Sequence, residues 1–400
     1  MSRSQDVAVA DDDMKLNAWL GTIAVIAIGV ALFNLHAATA GVQIDAIKLD
    51  GTPVTLYQPA GVRRGPVVVI AHGFAGSQQL MQSFALTFAR NGYVAMTFDF
   101  PGHGRNARPL TGSISQLDGA TRTLVSDLGT VARYARTIGN GHIAVLGHSM
   151  ASDIVIRYAE ANPDVAATIA VSMYSPAVTA TEPRNLLVIV GDWEGPLKRE
   201  ALRVAGLVAG AVAGRPGTTY GDMSRGTGRR VEFSAHVEHA SVLYSEDSML
   251  AALAWLDAVF LFVRAEPPSL DERGPWILVL FSGIVLLGRP LAAWLPRQHD
   301  PGVGASLGWR RLAAPMFVPM IGTPLVLRIV PTHFLPVLVA DYLAVLFAVY
   351  GILTAGCLWW VRRAHPSGPV LSVSIASLAV AIAAVVLFGF VGIVWAITVS

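Results

Sequence analysis

The chain of 400 residues has one cysteine, Cys357, so no disulfide can form within it and no cysteine-based metal site can be built. Charge is scarce. Asp, Glu, Lys and Arg make up 14% of the residues, against about a quarter in globular domains. The net charge is only +2 and the 29 basic residues are scattered rather than striped, which gives no case for nucleic-acid binding. No metal-ligand set and no cofactor-binding motif stands out. Apolar residues are plentiful instead, at 53%, with a mean hydropathy of +0.53. The excess sits in one stretch near the N-terminus and in almost everything after Pro275, with an ordinary soluble composition between them.

Residues 1–15 form a polar tail carrying Asp11-Asp12-Asp13. Residues 16–38 are apolar and long enough to cross a bilayer, which takes about 20 residues. Ala38-Thr39-Ala40 resembles a signal-peptidase site, so a cleaved leader is the rival reading. The acidic triplet favours a retained anchor. From residue 274 to 400 the pattern predicts a helical membrane domain of four spans, at about 276–295, 312–330, 335–360 and 370–397. Arg297, Arg310 and Arg311 follow the first of these, and Arg362 and Arg363 follow the third. The positive-inside rule puts both loops in the cytoplasm. Five spans then alternate to leave residues 42–264 outside it, in a bacterial inner or plasma membrane. Asp341 and Arg328 are costly in a bilayer, and an ion pair across their hairpin is the plainest expectation. Arg289 is expected to snorkel or line a helix interface.

Residues 42–264 alternate in period. Strands are expected at 43–49, 53–58, 66–71, 93–98, 143–147, 166–172, 185–190 and 230–235, and helices at 78–91, 119–138, 150–161, 196–210 and 247–263. After two leading strands this βαβα series predicts an α/β fold, a mostly parallel eight-stranded sheet with helices on both faces. The Gly-rich stretch 214–229 reads as a loop. The key stretch is 143–152, Ile-Ala-Val-Leu-Gly-His-Ser-Met-Ala-Ser. An apolar strand runs into a sharp turn at Ser149 and then into a helix, the context of a nucleophile elbow with Ala151 in place of the usual final glycine.

Two further strand ends carry motifs: His72-Gly73-Phe74 and Asp99-Phe-Pro-Gly-His-Gly104. With Gly147-His148-Ser149-Met150 they make the chain resemble the α/β-hydrolase superfamily, nearest its serine esterase, monoacylglycerol lipase and serine aminopeptidase-like branch, over about residues 50–262. The resemblance implies Ser149 as nucleophile, with base and acid in the order serine, acid, histidine. It implies His239 as base, ahead of His236. It places the acid after the strand at 185–190, where Glu194 matches the family's Gly-x-x-Asp position and Asp192 is the alternative. The backbone N–H groups of Phe74 and Met150 are the implied oxyanion hole. His72, His103 and Asp99 are expected to stabilise turns, Asp153 to sit at a helix start, and His142 to be a solvated loop residue. The implied activity is a membrane-anchored serine hydrolase acting on a small acyl ester, with a lipid-derived substrate suggested by placement alone. An amide-directed peptidase and a non-catalytic sensor module remain as alternatives. The region between 172 and 185 is short and lacks room for the helical lid many relatives insert there, so an open site, or one partly covered by 207–229 or by the membrane domain, is expected.

Overall fold

The computed structural model describes residues 2–61, 65–112, 117–210, 214–295, 308–332, 334–335, 337–364 and 374–394. Arg297, the side chains of Asp11 and Arg362, and residues 370–373 and 395–397 of the fourth expected C-terminal span lie outside them. The chain divides into two units, Gly29–Val279 and a second made of Met1–Ile28 with Leu280–Val399.

The first unit is built on one sheet of nine strands: β1 (Val42–Leu49), β2 (Thr52–Pro59), β3 (Val67–Ala71), β4 (Val94–Phe98), β5 (Ile143–His148), β6 (Val165–Val171), β7 (Leu186–Gly191), β8 (Thr219–Tyr220) and β9 (Arg229–Ser234). Their order is β1-β2-β4-β3-β5-β6-β7-β9-β8. β4, β3, β5, β6, β7 and β9 are parallel, while β1, β2 and β8 pair antiparallel. β3 (Val-Val-Val-Ile-Ala) and β5 (Ile-Ala-Val-Leu-Gly-His) are buried at every residue, as strands covered on both faces must be. Alternate side chains serve the two faces. Val68 and Ile70 join the core under α2 (Gln82–Arg90) and α6 (Glu246–Phe260). Val67 and Val69 join the one under α3 (Arg122–Ile138) and α4 (Met150–Ala161). Leu186, Val188 and Val190 of β7 pack under α5 (Gly195–Ala209).

The α/β-hydrolase fold expected from the sequence is present, with one correction: the sheet has nine strands rather than eight. The extra edge strand, β8, is two residues long and lies inside the stretch expected to be loop. Gly217 (φ 75°) and Gly221 (φ 78°) bracket it, so the glycines that read as loop are the turns on either side of a short pairing with β9.

The second unit contains helices α7 (Arg273–Ala292, begun in the first unit), α8 (Trp309–Leu327), α9 (Ala340–Ala364) and α10 (Ile375–Val386), together with the first part of α1 (Ser2–Ala37). Among the described residues three helical segments are long and apolar enough to cross a membrane: Asp12–Ala37, Arg273–Ala292 and Ala340–Val361. α8 is not among them, and its sequence carries Pro315, Pro319 and Pro324 inside the helix. Ile375–Gly389 is apolar but shorter. The expected Asp341–Arg328 ion pair does not form among the described residues. Asp341 lies in the first turn of α9 rather than mid-span, and its carboxylate accepts the backbone N–H groups of Phe334 and Tyr342. A carboxylate at a helix start is stabilised by the same orphan amides that would otherwise need water. Arg289 lies 3.5 Å from Asp13, both half-exposed or more.

Candidate active site

The parallel strands all end at one edge of the sheet, and the residues singled out in the sequence converge there. β5 ends at His148 and α4 begins at Met150, leaving Ser149 to make the whole turn at φ 54° and ψ −119°. A non-glycine residue held there costs about 1–3 kcal/mol. The turn is tight enough that a Cβ on Gly147 would lie 2.3 Å from the Ala151 carbonyl oxygen, so glycine is required at the first position and a small residue suffices at the last. The Ser149 N–H donates to the Val171 carbonyl of β6, which ties the turn to the next strand.

His239 follows β9 and a short loop. Its Nε2 lies 2.8 Å from Ser149 Oγ and its Nδ1 lies 2.6 Å from Glu194 Oε1. Nδ1–H donates to the carboxylate, which leaves Nε2 free to accept the serine proton. Glu194 is buried, and its second oxygen accepts from Ser172 Oγ (2.7 Å) and the Gly191 N–H (2.8 Å). Burial alone would raise the Glu194 pKa, but the hydrogen bonds from His239, Ser172 and Gly191 outweigh it and hold the carboxyl below its usual range. The hydrogen bond to Glu194 in turn raises the His239 pKa above the ordinary histidine value. The alternative acid is placed elsewhere: Asp192 is half-exposed and paired with Lys198. His236, the alternative base, sits just past β9 at φ 58° on the exposed side of the loop.

Phe74 and Met150 flank the serine. Gly73 presses so close that a Cβ there would stand 3.0 Å from Ser149 Cβ. Among the described residues neither the Phe74 nor the Met150 N–H donates to another protein group. The loop carrying Phe74 is braced from below. Buried Asp99 accepts from the Gln78 N–H (2.8 Å), Gln78 Nε2 (2.9 Å) and the Arg105 N–H (3.0 Å). His72 Nδ1 meets the Gly73 carbonyl at 2.8 Å, and its Nε2 accepts from the Phe100 N–H. Burial pushes His72 down to about 3, so it is a neutral brace. His103 bonds the Pro101 carbonyl and is also lowered by burial. These are the turn-stabilising roles expected for the three residues. Asp153 accepts from Arg157 Nε and Ser175 Oγ at the start of α4, and His142 is exposed with its ring near Phe260.

Two residues of the site are missing from the sequence reading. Ser172 follows β6 at φ 50° and donates to Glu194. His148 Nε2–H donates to the His239 carbonyl at 2.9 Å, with the two rings 4.9 Å apart, and burial lowers His148 to about 4, so it too stays neutral. The visible signal was its place inside the Gly-His-Ser motif. For Ser172 it was a small polar residue at the strand end beside the acid. A cleft of about 480 Å³ opens beside Ser149 and His239, lined by residues that include Leu124, Met150, Ile154, Tyr174, Pro176 and Leu197. Its described lining draws on the 121–124 segment and the start of α5, and not on 207–229, one of the covers weighed from the sequence.

A family model described as serine aminopeptidase, S33, matches residues 63–217. Among curated relatives, a non-heme chloroperoxidase of Streptomyces lividans is 33% identical over 147 residues, covering 36% of this chain and 50% of that protein. An uncharacterized 31.7 kDa protein of Escherichia coli from the traX-finO intergenic region is 27% identical over 131 residues, covering 30% and 46%. The chain spans about half the length of these relatives. Similar solved structures include a predicted CIB-like hydrolase from Thermoplasma acidophilum, with 18% identity, a TM-score of 0.41 and coverage of 55% of this chain and 98% of that one. A Pyrobaculum calidifontis esterase has 18% identity, a TM-score of 0.39 and coverage of 60% and 94%. The family match falls within the hydrolase unit, and the sheet order and the serine turn between β5 and α4 give that unit the α/β-hydrolase fold.

Proposed function

We infer that this chain is a membrane-anchored serine hydrolase that cleaves a carboxylic ester through an acyl-enzyme on Ser149. The observation that carries the reading is the unbroken contact from Ser149 Oγ to His239 Nε2 and from His239 Nδ1 to Glu194. A serine hydroxyl is a weak nucleophile alone and is activated by a base within hydrogen-bond reach. In the proposed cycle Ser149 Oγ attacks the ester carbonyl while His239 Nε2 takes its proton. The amides of Phe74 and Met150 hold the resulting oxyanion, each contributing about 2.7–4 kcal/mol to the transition state. His239 returns the proton to the leaving alcohol, and a water molecule repeats the steps to release the acid. Glu194 fixes the imidazole tautomer and stabilises its cation.

Anchoring rests on the three helices long and apolar enough to cross a membrane. Arg310, Arg311 and Arg363 support cytoplasmic loops and an extracytoplasmic hydrolase domain. A topology reporter inserted after Ala364 reads cytoplasmic if α8 spans with its neighbours. An extracytoplasmic result removes α8 from the spans. The second reading, amide cleavage, is favoured by the description of the matched family model. A panel of aryl esters of graded acyl length beside aminoacyl anilides, with Ser149→Ala as control, separates them. Ester turnover lost in the variant supports the first reading, anilide turnover alone supports the second, and turnover that survives the substitution removes both.

A further inference from the structure

Ser149 opens α4, and the first two turns of that helix present one stripe to the cleft. Met150, Asp153, Ile154 and Arg157 all line it, and they fall at i, i+3, i+4 and i+7, the spacing that keeps side chains on one helix face. The cleft therefore runs from the nucleophile along α4. Leu124 of α3 and Leu197 of α5 add apolar wall, and Tyr174 and Pro176 of the segment after β6 extend it. Its volume of about 480 Å³ lies in the lower half of the range of about 300–1,000 Å³ common for small-molecule sites.

One charged pair interrupts this apolar trough. Arg157 Nε donates to Asp153 Oδ2 at 2.7 Å, and the other carboxylate oxygen accepts from the buried Ser175 Oγ. Ser175 stands between Tyr174 and Pro176 in the chain, so its bond pins that wall of the cleft to α4. The two side chains of the pair are only 22% and 23% exposed, held against the helix rather than loose in water. They stand between one and two turns from Met150, about 5–10 Å along the axis at about 1.5 Å per residue.

We propose that this cleft holds the acyl chain and that the Asp153–Arg157 pair is its end stop. The distance along α4 then sets the substrate class as esters with acyl chains of about four to eight carbons, not long fatty acyl esters. The assignment rests on the serine hydrolase reading and deepens it. A chain lying against Leu124, Ile154 and Leu197 buries its methylenes, which favours each added carbon. A chain that reaches the pair must strip water from charged groups and offers no hydrogen bond in return. The leaving oxygen must come within reach of His239 Nε2 to receive its proton, which sets the alcohol at the His239 end and the acyl chain toward Arg157. Asp153 and Arg157 take no part in the chemistry; they fix where the chain ends.

The test measures kcat/KM of the full-length chain in detergent on p-nitrophenyl esters of graded acyl length, and on butyrate esters whose alcohol lengthens instead. kcat/KM should rise about two- to four-fold per methylene to an optimum between about four and eight carbons, and fall at least about ten-fold by about sixteen. Asp153→Asn with Arg157→Leu removes both charges together and keeps an acceptor for Ser175. It should move the optimum up by about four carbons, whereas a merely structural loss would lower all esters together and leave the optimum in place. Arg157→Met, which leaves the Ser175 bond intact, provides a second folded background with the same expected shift. An unmoved optimum in either folded variant, or a wild-type optimum at about twelve carbons or more, overturns the end stop. Rates that follow alcohol length rather than acyl length overturn the acyl assignment. Absence of turnover on every ester overturns the hydrolase reading instead.

Discussion

The two edges of the sheet are made of the same strands but differ in kind. At the edge where the parallel strands start, Arg90, Asn91, Arg264 and Ser269 hydrogen-bond to one another or to neighbouring carbonyls, and positive φ falls on Gly92 as well as on Asn185 and Leu261. At the catalytic edge, Ala75, Ser149, Ser172 and His236 all hold positive φ without being glycine, and a half-exposed histidine rests on a buried carboxylate. The serine, base and acid meet only at the catalytic edge, while at the other edge ion pairs and side-chain hydrogen bonds join the helix ends. Function and stability are therefore expected to separate by edge.

The largest effect is expected at the serine. Ser149→Ala should lower kcat by about 10⁴-fold or more, since removal of a nucleophile leaves only binding and oxyanion stabilisation. Steady-state hydrolysis of an aryl ester by the folded variant checks this. Next comes the acid. Glu194→Gln should cost about 10³–10⁴-fold in kcat, and Asp192→Asn less than about three-fold. The pH profile adds a signature. His239 acts as base only when neutral, and its pKa is raised by Glu194, so activity should rise with pH through a midpoint above about 6.5. Glu194→Gln should move that midpoint down, and an unmoved midpoint would mean the pair does not act together. Ser172→Ala removes one of three hydrogen bonds to Glu194, and an approximately ten-fold loss in kcat with little change in KM is expected.

The catalytic edge should also be the acid-labile one. His72 and His148 have pKa values pushed down to about 3 and about 4 by burial, so the unfolded chain takes up protons that they refuse. Their contribution to stability is present above about pH 6.5 and is lost as pH falls toward 4. His239 works the other way, its raised pKa adding stability below about 6.5 that is lost as pH rises through the raised value, but it is one half-exposed group against two buried ones. The melting temperature should therefore fall between pH 6.5 and 4, and His148→Gln should flatten that fall. The smallest effect on rate belongs to the other edge. Arg264→Ala breaks its pair with Asp257 and its bond to Asn91, and should cost about 1–3 kcal/mol of stability while kcat stays within about two-fold. A large kcat loss there would erase the distinction between the edges.

Much of the catalytic edge was legible because it is local. The turn at Ser149 needs Gly147 on one side and small Ala151 on the other within five residues, and His-Gly-Phe marks its own strand end. Glu194 was preferred to Asp192 only through the resemblance, which puts the acid at its position, and the structure adds a physical reason for that turn: Gly191 must be glycine because a Cβ would lie 2.6 Å from the Val237 carbonyl, which packs the turn against the histidine's loop. Ser172 and His148 were not legible because their partners are 22 and 91 residues away, and only the strand order brings them together. β8 was hidden by the glycines that flank it. Among the apolar helices, composition spoke for five spans, but the described α8, with Arg310, Arg311 and three prolines, is not apolar enough to be one of the three membrane-length helices, and nothing in the composition shows where Asp341 finds its amides.

The central claim is that Ser149 is the nucleophile of a working triad. It is tested most directly by treating the full-length chain in membranes with a fluorophosphonate and mapping the adduct by peptide mass spectrometry. The account predicts one phosphonyl group, on Ser149, absent from Ser149→Ala and strongly slowed in Glu194→Gln. An unlabelled folded protein, or an adduct that persists in Ser149→Ala, would contradict it.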